Sequence, residues 1–258
     1  MAVRKFGFFD FRNYIPLEMK ALNDGSISVG KASSDTTVSA WHTPAGPLAL
    51  AQLGACGAAP GLAPVLTANG WNLPYAAANA LGCELCPLNV ATTSAANSCN
   101  FVLGTDPSFF VQATFQIATV ANDLIVGVGF RTAGAFNGTT ANYTTLANWL
   151  TTTTLYNDVI FLGDEAGTLH SVYHSNSASN GADTSTTQTT TNATNVTLKV
   201  IVNSAGTQAS FYVNGSAASF GATGTLAGTH TVVPFFVGLQ GAGAQTLINI
   251  QSLMWGYV

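Results

Sequence analysis

Apolar and polar positions alternate with a period of two through much of the second half of the chain. From Val196 to Asn203, Val196, Leu198, Val200 and Val202 share one side while Thr197, Lys199 and Asn203 take the other, with Ile201 the lone exception. That is the pattern of a strand with one buried face. In the next segment, Thr207 to Gly215, Ala209, Phe211 and Val213 share the inward side, and Asn214-Gly215 supplies the left-handed backbone angles of a tight turn. Phe109, Val111, Ala113, Phe115 and Ile117 alternate with Phe110, Gln112, Thr114 and Gln116, and Leu124, Val126, Val128 and Phe130 alternate with Ile125, Gly127 and Gly129. Further strands are predicted over Asp158 to Leu162, Thr168 to His174, Val232 to Leu239 and Leu247 to Trp255. About eight strands, with no long amphipathic helix, predict an all-β, two-sheet antiparallel β-sandwich or jelly roll.

The first third of the chain has a different texture. Residues 1–35 hold half of all the charges, Arg4, Lys5, Asp10, Arg12, Glu18, Lys20, Asp24, Lys31 and Asp35, interleaved with aromatic residues. They read either as an N-terminal arm or as a first strand. In the arm reading Arg4, Lys5, Phe6, Phe8, Phe9, Phe11, Arg12 and Tyr14 form a candidate interface, because aromatic residues and Arg are favoured interface anchors. Asp10 and Arg12 interrupt the apolar run too early for a signal peptide. Residues 36–105 are rich in Ala, Gly and Pro, and Pro44, Pro47, Pro60, Pro64, Pro74 and Pro87 discourage regular structure. This segment is expected to form long covering loops with short strands, or an extension that wraps neighbours. The sandwich itself is placed at 106–258.

The succession Asp158-Val-Ile-Phe-Leu, Gly167-Thr-Leu-His-Ser-Val, a Thr-rich loop, Val196-Thr-Leu-Lys-Val-Ile-Val-Asn, Phe211-Tyr-Val-Asn-Gly, Val233-Pro-Phe-Phe-Val-Gly-Leu-Gln and Ile248-Asn-Ile-Gln-Ser-Leu resembles the concanavalin A-like lectin/glucanase jelly roll. More narrowly it resembles the version found in structural proteins of tailed bacteriophages. The resemblance implies a virion protein assembled in a host cytoplasm, but this fold hosts lectins, glucanases and virion proteins alike.

Composition bears on that choice. Charged residues make up only 7% of the 258 residues, against a usual figure of about 25%. A subunit that hides much of its surface in neighbours can dispense with charge, so the deficit points to a homo-oligomer or a larger particle. A net charge of −4 without a basic cluster beyond residue 31 argues against direct nucleic-acid binding. No uncharged stretch is free enough of Pro, Gly and polar residues to predict a membrane span.

Candidate chemistry is sparse, and neither catalytic, cofactor nor metal residues are assigned. Cys56, Cys83, Cys86 and Cys99 include one close pair; free thiols, disulfides and a zinc site all stay open. The two-apart carboxylates with which glucanases of the resembled fold flank a sugar bond are missing, and Asp164-Glu165 reads as a solvated turn. His170 and His174 read as ordinary strand residues sharing a face, and neither His42 nor His230 has a nucleophile identifiable from spacing. For a sugar site, Asp106, Asp123, Asp158, Asn137, Asn142, Tyr143 and Trp149 are available, but no tight calcium loop is present. Ser175 to Thr194 reads as a flexible polar loop. The expected role is a capsid decoration or cement protein that binds the major capsid protein or other virion subunits. The alternative is a carbohydrate-binding module for a surface glycan, on a head fibre or tail.

Overall fold

The computed structural model describes residues 6–10, 17–21, 27–31, 49–53, 65–67, 69–72, 82–86, 100–120, 123–132, 158–175, 177–218, 230–240 and 247–258. Its strands are β1 (Phe6–Asp10), β2 (Leu17–Ala21), β3 (Ile27–Lys31), β4 (Ala49–Leu53), β5 (Val65–Thr67), β6 (Gly70–Asn72), β7 (Gly82–Cys86), β8 (Phe101–Val102) and β9 (Phe109–Ile117). They continue with β10 (Asp123–Thr132), β11 (Asp158–Glu165), β12 (Thr168–Ser175), β13 (Ser177–Thr189), β14 (Asn195–Val202), β15 (Ala209–Val213), β16 (Ser216–Ala217), β17 (Thr231–Gln240) and β18 (Ile248–Tyr257). Sheet one runs β16-β15-β14-β9-β18-β6-β5, with β1 also on β18, and sheet two runs β13-β12-β11-β10-β17-β7-β4, with β8 also on β17. All pairings are antiparallel, and β2 and β3 form a separate hairpin. The two-sheet antiparallel β-sandwich expected from the alternation is the observed architecture.

The alternating positions build the space between the sheets. Phe109, Val111, Ala113, Phe115 and Ile117 of β9 and Val196, Leu198, Val200 and Val202 of β14 join Val126, Val128 and Phe130 of β10 in one buried cluster. Phe101 stacks on Phe109 at 4.5 Å and meets Phe130 edge-on at 5.8 Å, which closes one end of the core with aromatic area. Each such fully buried side chain contributes on the order of 1.5–3 kcal/mol through loss of apolar surface from water. Asn214-Gly215 turns β15 into β16 with φ of 51° and 82°, as a two-residue hairpin requires.

The two sheets differ on their outer faces. On sheet one that face is polar and part-exposed: the Thr114 and Thr197 hydroxyls bond at 2.9 Å, and the Lys199 ammonium lies 4.7 Å over the Phe110 ring. On sheet two the outer positions Ile125, Val159, Phe161, Val172, Val233, Phe235 and Val237 are all buried. Sheet two is thus shielded on both sides, which period-two reading of β10 as one buried face did not anticipate.

Two segments carry more strand than their composition suggests. Residues 36–105 supply β4 and β7 to sheet two and β5 and β6 to sheet one, while every proline of that segment lies between strands. Ser175 to Thr194, expected as a flexible loop, contains β13, which pairs with β12 from Thr168↔Thr189 to Ser175↔Ser177. Its Thr residues are β-branched and suit a pleated edge even without a hydrophobic anchor. At the other end of the chain, β1 pairs with the C-terminal strand from Phe6↔Gly256 to Asp10↔Ser252. Arg4, Lys5, Phe11, Arg12 and Tyr14 lie outside the described residues, as do Cys56 and Cys99 and the side chains of Phe6, Phe8, Phe9, Cys83 and Cys86.

Candidate functional site

The hairpin β11–β12 turns at Ala166-Gly167, whose φ values of 50° and 93° allow a two-residue connection. Adjacent strand residues point to opposite faces, so Asp164 faces the interior and Glu165 the outer side. Asp164 is buried, in contrast to the solvated turn expected for it, because it has donors waiting. The Gly167 amide donates to its Oδ2 at 2.8 Å and the Thr190 hydroxyl to its Oδ1 at 2.6 Å. Asp164 therefore ties the turn to the segment that follows β13.

On the outer side, register brings three chemically competent groups together. His170 lies opposite Gly163 and Ser185, and Asp183 lies opposite Val172, one step along β13 on the same face. His170 Nδ1 is 2.8 Å from Asp183 Oδ1 and 3.9 Å from Glu165 Oε2. The three side chains are 15%, 20% and 21% exposed for His170, Asp183 and Glu165, so the cluster is accessible at the rim of an otherwise buried face. One donor atom from each lies within 4.8 Å of the others, a set able to accept a metal ion. Sequence reasoning missed it because Asp183 sits in the segment read as a loop; only the β12–β13 register makes it a neighbour of His170.

The hydrogen bond to Asp183 raises the His170 pKa above its ordinary 6.5; burial opposes this, and the charges of Asp183, Glu165 and Asp164 reinforce it. A pKa raised on folding stabilises the folded state fully below the unfolded value and loses that contribution as pH climbs through the folded value. The expected result is a stability decrease above pH 6.5, under about 1 kcal/mol for a part-exposed pair, absent in His170→Gln. Chemical denaturation at a series of pH values, with an imidazole NMR titration, checks both.

A second histidine–carboxylate pair lies where β11 begins. Asp158 is fully buried, and its Oδ2 is 2.6 Å from Nδ1 of His230, which is 34% exposed. The Thr132 hydroxyl accepts from the Asp158 amide at 2.7 Å, and the Leu103 amide donates to the His230 carbonyl at 3.0 Å. These bonds fasten β10, β11 and the start of β17 to the segment after β8. Asp106 is used in the same way, accepting from the Val102 amide and the Tyr257 hydroxyl, each at 2.8 Å. Burial and that carboxylate push the Tyr257 phenol up from its ordinary pKa. His174, like His170 on the outer face of β12, is buried, 1% exposed. Of the other residues weighed for a sugar site, Asn137, Asn142, Tyr143 and Trp149 lie outside the described residues, as does the side chain of Asp123.

Comparison of the whole fold with solved structures gives broad but distant likenesses. A protein of unknown function from Shewanella oneidensis MR-1, SO2946, superposes with a TM-score of 0.53 over 99% of this chain and 88% of its own, at 12% identity. The carbohydrate recognition domain of Emp46p, in its metal-free form, gives 0.52 over 87% of this chain and 92% of that one, at 10% identity. That of Emp47p gives 0.51 over 82% and 89%, at 12% identity. The fold is concanavalin A-like. No protein-family model and no curated protein sequence matches the chain. Within the concanavalin A-like sandwich, the Glu165–His170–Asp183 cluster occupies the end of sheet two, at the β11–β12 turn and the β13 edge.

Proposed function

We propose that this chain is a non-catalytic carbohydrate-recognition module. The observation that supports this reading is the likeness of nearly the whole fold to Emp46p and Emp47p domains described as carbohydrate recognition domains. The chemistry of the rim is compatible with it. Glu165 and Asp183 offer planar acceptors to sugar hydroxyls, and a protonated His170 between them offers a donor. A non-catalytic role is supported by how other carboxylates are engaged: Glu84 by Arg131, Asp106 by Tyr257, Asp158 by His230 and Asp164 by Thr190. Groups held in structural hydrogen bonds are poor candidates for the mobile protons of glycoside hydrolysis.

A glycan array with the purified chain tests the proposal. Saturable binding to a defined glycan, reduced about tenfold or more in Asp183→Asn, is the expected result, since losing one charge-assisted bond is worth that much. Saturable binding unaffected by Asp183→Asn would move the site away from the rim, and an empty array would remove the proposal. A second reading, a decoration or cement subunit of a tailed-phage head, is favoured by one observation, the 7% charged content. Co-sedimentation with phage heads lacking the protein, in the absence of glycan binding, would favour that reading.

A further inference from the structure

The rim cluster at the β11–β12 turn is net negative, and among the described side chains no Lys or Arg stands beside it. Glu165 and Asp183 set two carboxylates against the single imidazole of His170, so the sum stays negative whether or not His170 carries a proton. Behind them, on the inner face, lies a third carboxylate, Asp164, whose donors are the neutral Gly167 amide and Thr190 hydroxyl. Past residue 31 the sequence holds only two Lys or Arg residues, Arg131 and Lys199. Both are committed elsewhere: Arg131 is buried against Glu84, and Lys199 stands on the outer face of sheet one over the Phe110 ring.

We propose that this rim selects glycans bearing a free amine, sugars of the glucosamine class, over neutral, N-acetylated and acidic ones. The inference rests on the carbohydrate reading and names the sugar class for the same site. Distance favours an ammonium over a hydroxyl. One donor atom from each of Glu165, His170 and Asp183 lies within 4.8 Å of the others. Two oxygens that close can both stand about 2.8 Å from one nitrogen, the length of a charge-assisted hydrogen bond. An ammonium has three hydrogens and donates to both carboxylates at once, whereas a sugar hydroxyl has one hydrogen and no charge. N-acetylation leaves a single N–H, removes the charge and adds bulk, and an acidic sugar brings a like charge to the carboxylates. The bond between His170 and Asp183 at 2.8 Å holds that carboxylate in place before a ligand arrives, so little side-chain freedom is lost on binding. Ser185 suits a sugar rather than a bare cation. It lies opposite His170, within the unbroken register from His170↔Ser185 to Tyr173↔Ala182, and it is exposed, so it offers a hydroxyl to the ring substituents.

Calorimetric titration of the full chain with a glucosamine tetramer and with the N-acetylglucosamine tetramer tests the proposal, at a pH where the sugar amine is charged and with and without a chelator. The glucosamine tetramer is expected to bind about tenfold or more tighter, the worth of one charge-assisted hydrogen bond. That preference is expected to weaken with added salt, to shrink in Glu165→Gln and in Asp183→Asn, and to disappear in the double variant. Equal affinity for the two tetramers, or tighter binding of the N-acetylated one, overturns the inference while leaving the carbohydrate reading in place; no binding to any glycan removes both. A lysine tetrapeptide that binds as tightly as the glucosamine tetramer also overturns it, because charge alone is then recognised. So does binding that the chelator abolishes, because a metal ion then carries the contact. Should the variants fail to fold, the ratio of the two affinities in the wild-type chain decides alone.

Discussion

Arg131→Leu is expected to destabilise the protein by about 3–5 kcal/mol, the loss that follows when one partner of a buried ion pair is removed. Arg131 and Glu84 are 2% and 1% exposed. The guanidinium Nε donates to both Glu84 oxygens at 3.1 Å, Nη2 donates to Oε1 at 2.7 Å, and Nη1 donates to the Thr132 carbonyl at 2.9 Å. The pair spans from β10 across β17 to β7, so it links the centre of sheet two to a strand drawn from the Pro-rich first third of the chain. Leucine at 131 leaves the Glu84 carboxylate buried without its counter-charge, and that desolvation penalty is the larger part of the loss. The double variant Arg131→Leu/Glu84→Leu removes both charges and is expected to recover most of it, because an apolar pair of similar volume avoids desolvation altogether. Urea unfolding with an unchanged m-value measures both effects. A single-variant loss below about 1 kcal/mol would mean that water reaches the pair, as for a surface ion pair.

That ion pair also marks how far the sequence could be read. The strands of the inter-sheet core were legible because Phe109 to Ile117 and Val196 to Val202 each present one apolar and one polar face, and a period of two needs no tertiary information. Arg131 was invisible in the same terms. It sits on the side of β10 shared with Gly127 and Gly129, where a strand with one wet face would carry a surface charge, and nothing local announces Glu84 as its partner. The rim cluster was hidden for a related reason. Glu165, His170 and Asp183 come from three strands, and their meeting depends on a register between β12 and a polar strand that has no hydrophobic stripe to set it. A weak signal did exist: thirteen residues rich in β-branched Thr, without Pro, are a fair description of an edge strand. The wide low-charge composition and the buried outer face of sheet two belong together. A chain that shields both sides of one sheet needs fewer charged positions than a sandwich with two wet faces.

Phe161→Ala is expected to cost about 3–5 kcal/mol, the range for emptying a buried aromatic site, although Phe161 lies on the side of β11 away from the inter-sheet core. Its neighbours explain why. The ring is fully buried and stacks on Phe235 at 5.9 Å with an interplanar angle of 22°. It lies flat over the sheet because the positions beneath it have no side chains. A Cβ at Gly127 would stand 2.6 Å from the ring's Cζ, and one at Gly163 would meet Cζ and Cε1 of the same ring. Glycine weakens a strand interior, so Gly127 and Gly163 are tolerated where an aromatic ring covers the exposed backbone in their place. Alanine at 161 removes that cover and leaves a void lined by glycine backbone, which side chains cannot collapse into. Stability should therefore fall as for a core residue. Calorimetric or denaturant unfolding of Phe161→Ala decides between this and the simpler picture of a one-sided sheet. In that picture an outer-face phenylalanine would be worth no more than about 0.5 kcal/mol.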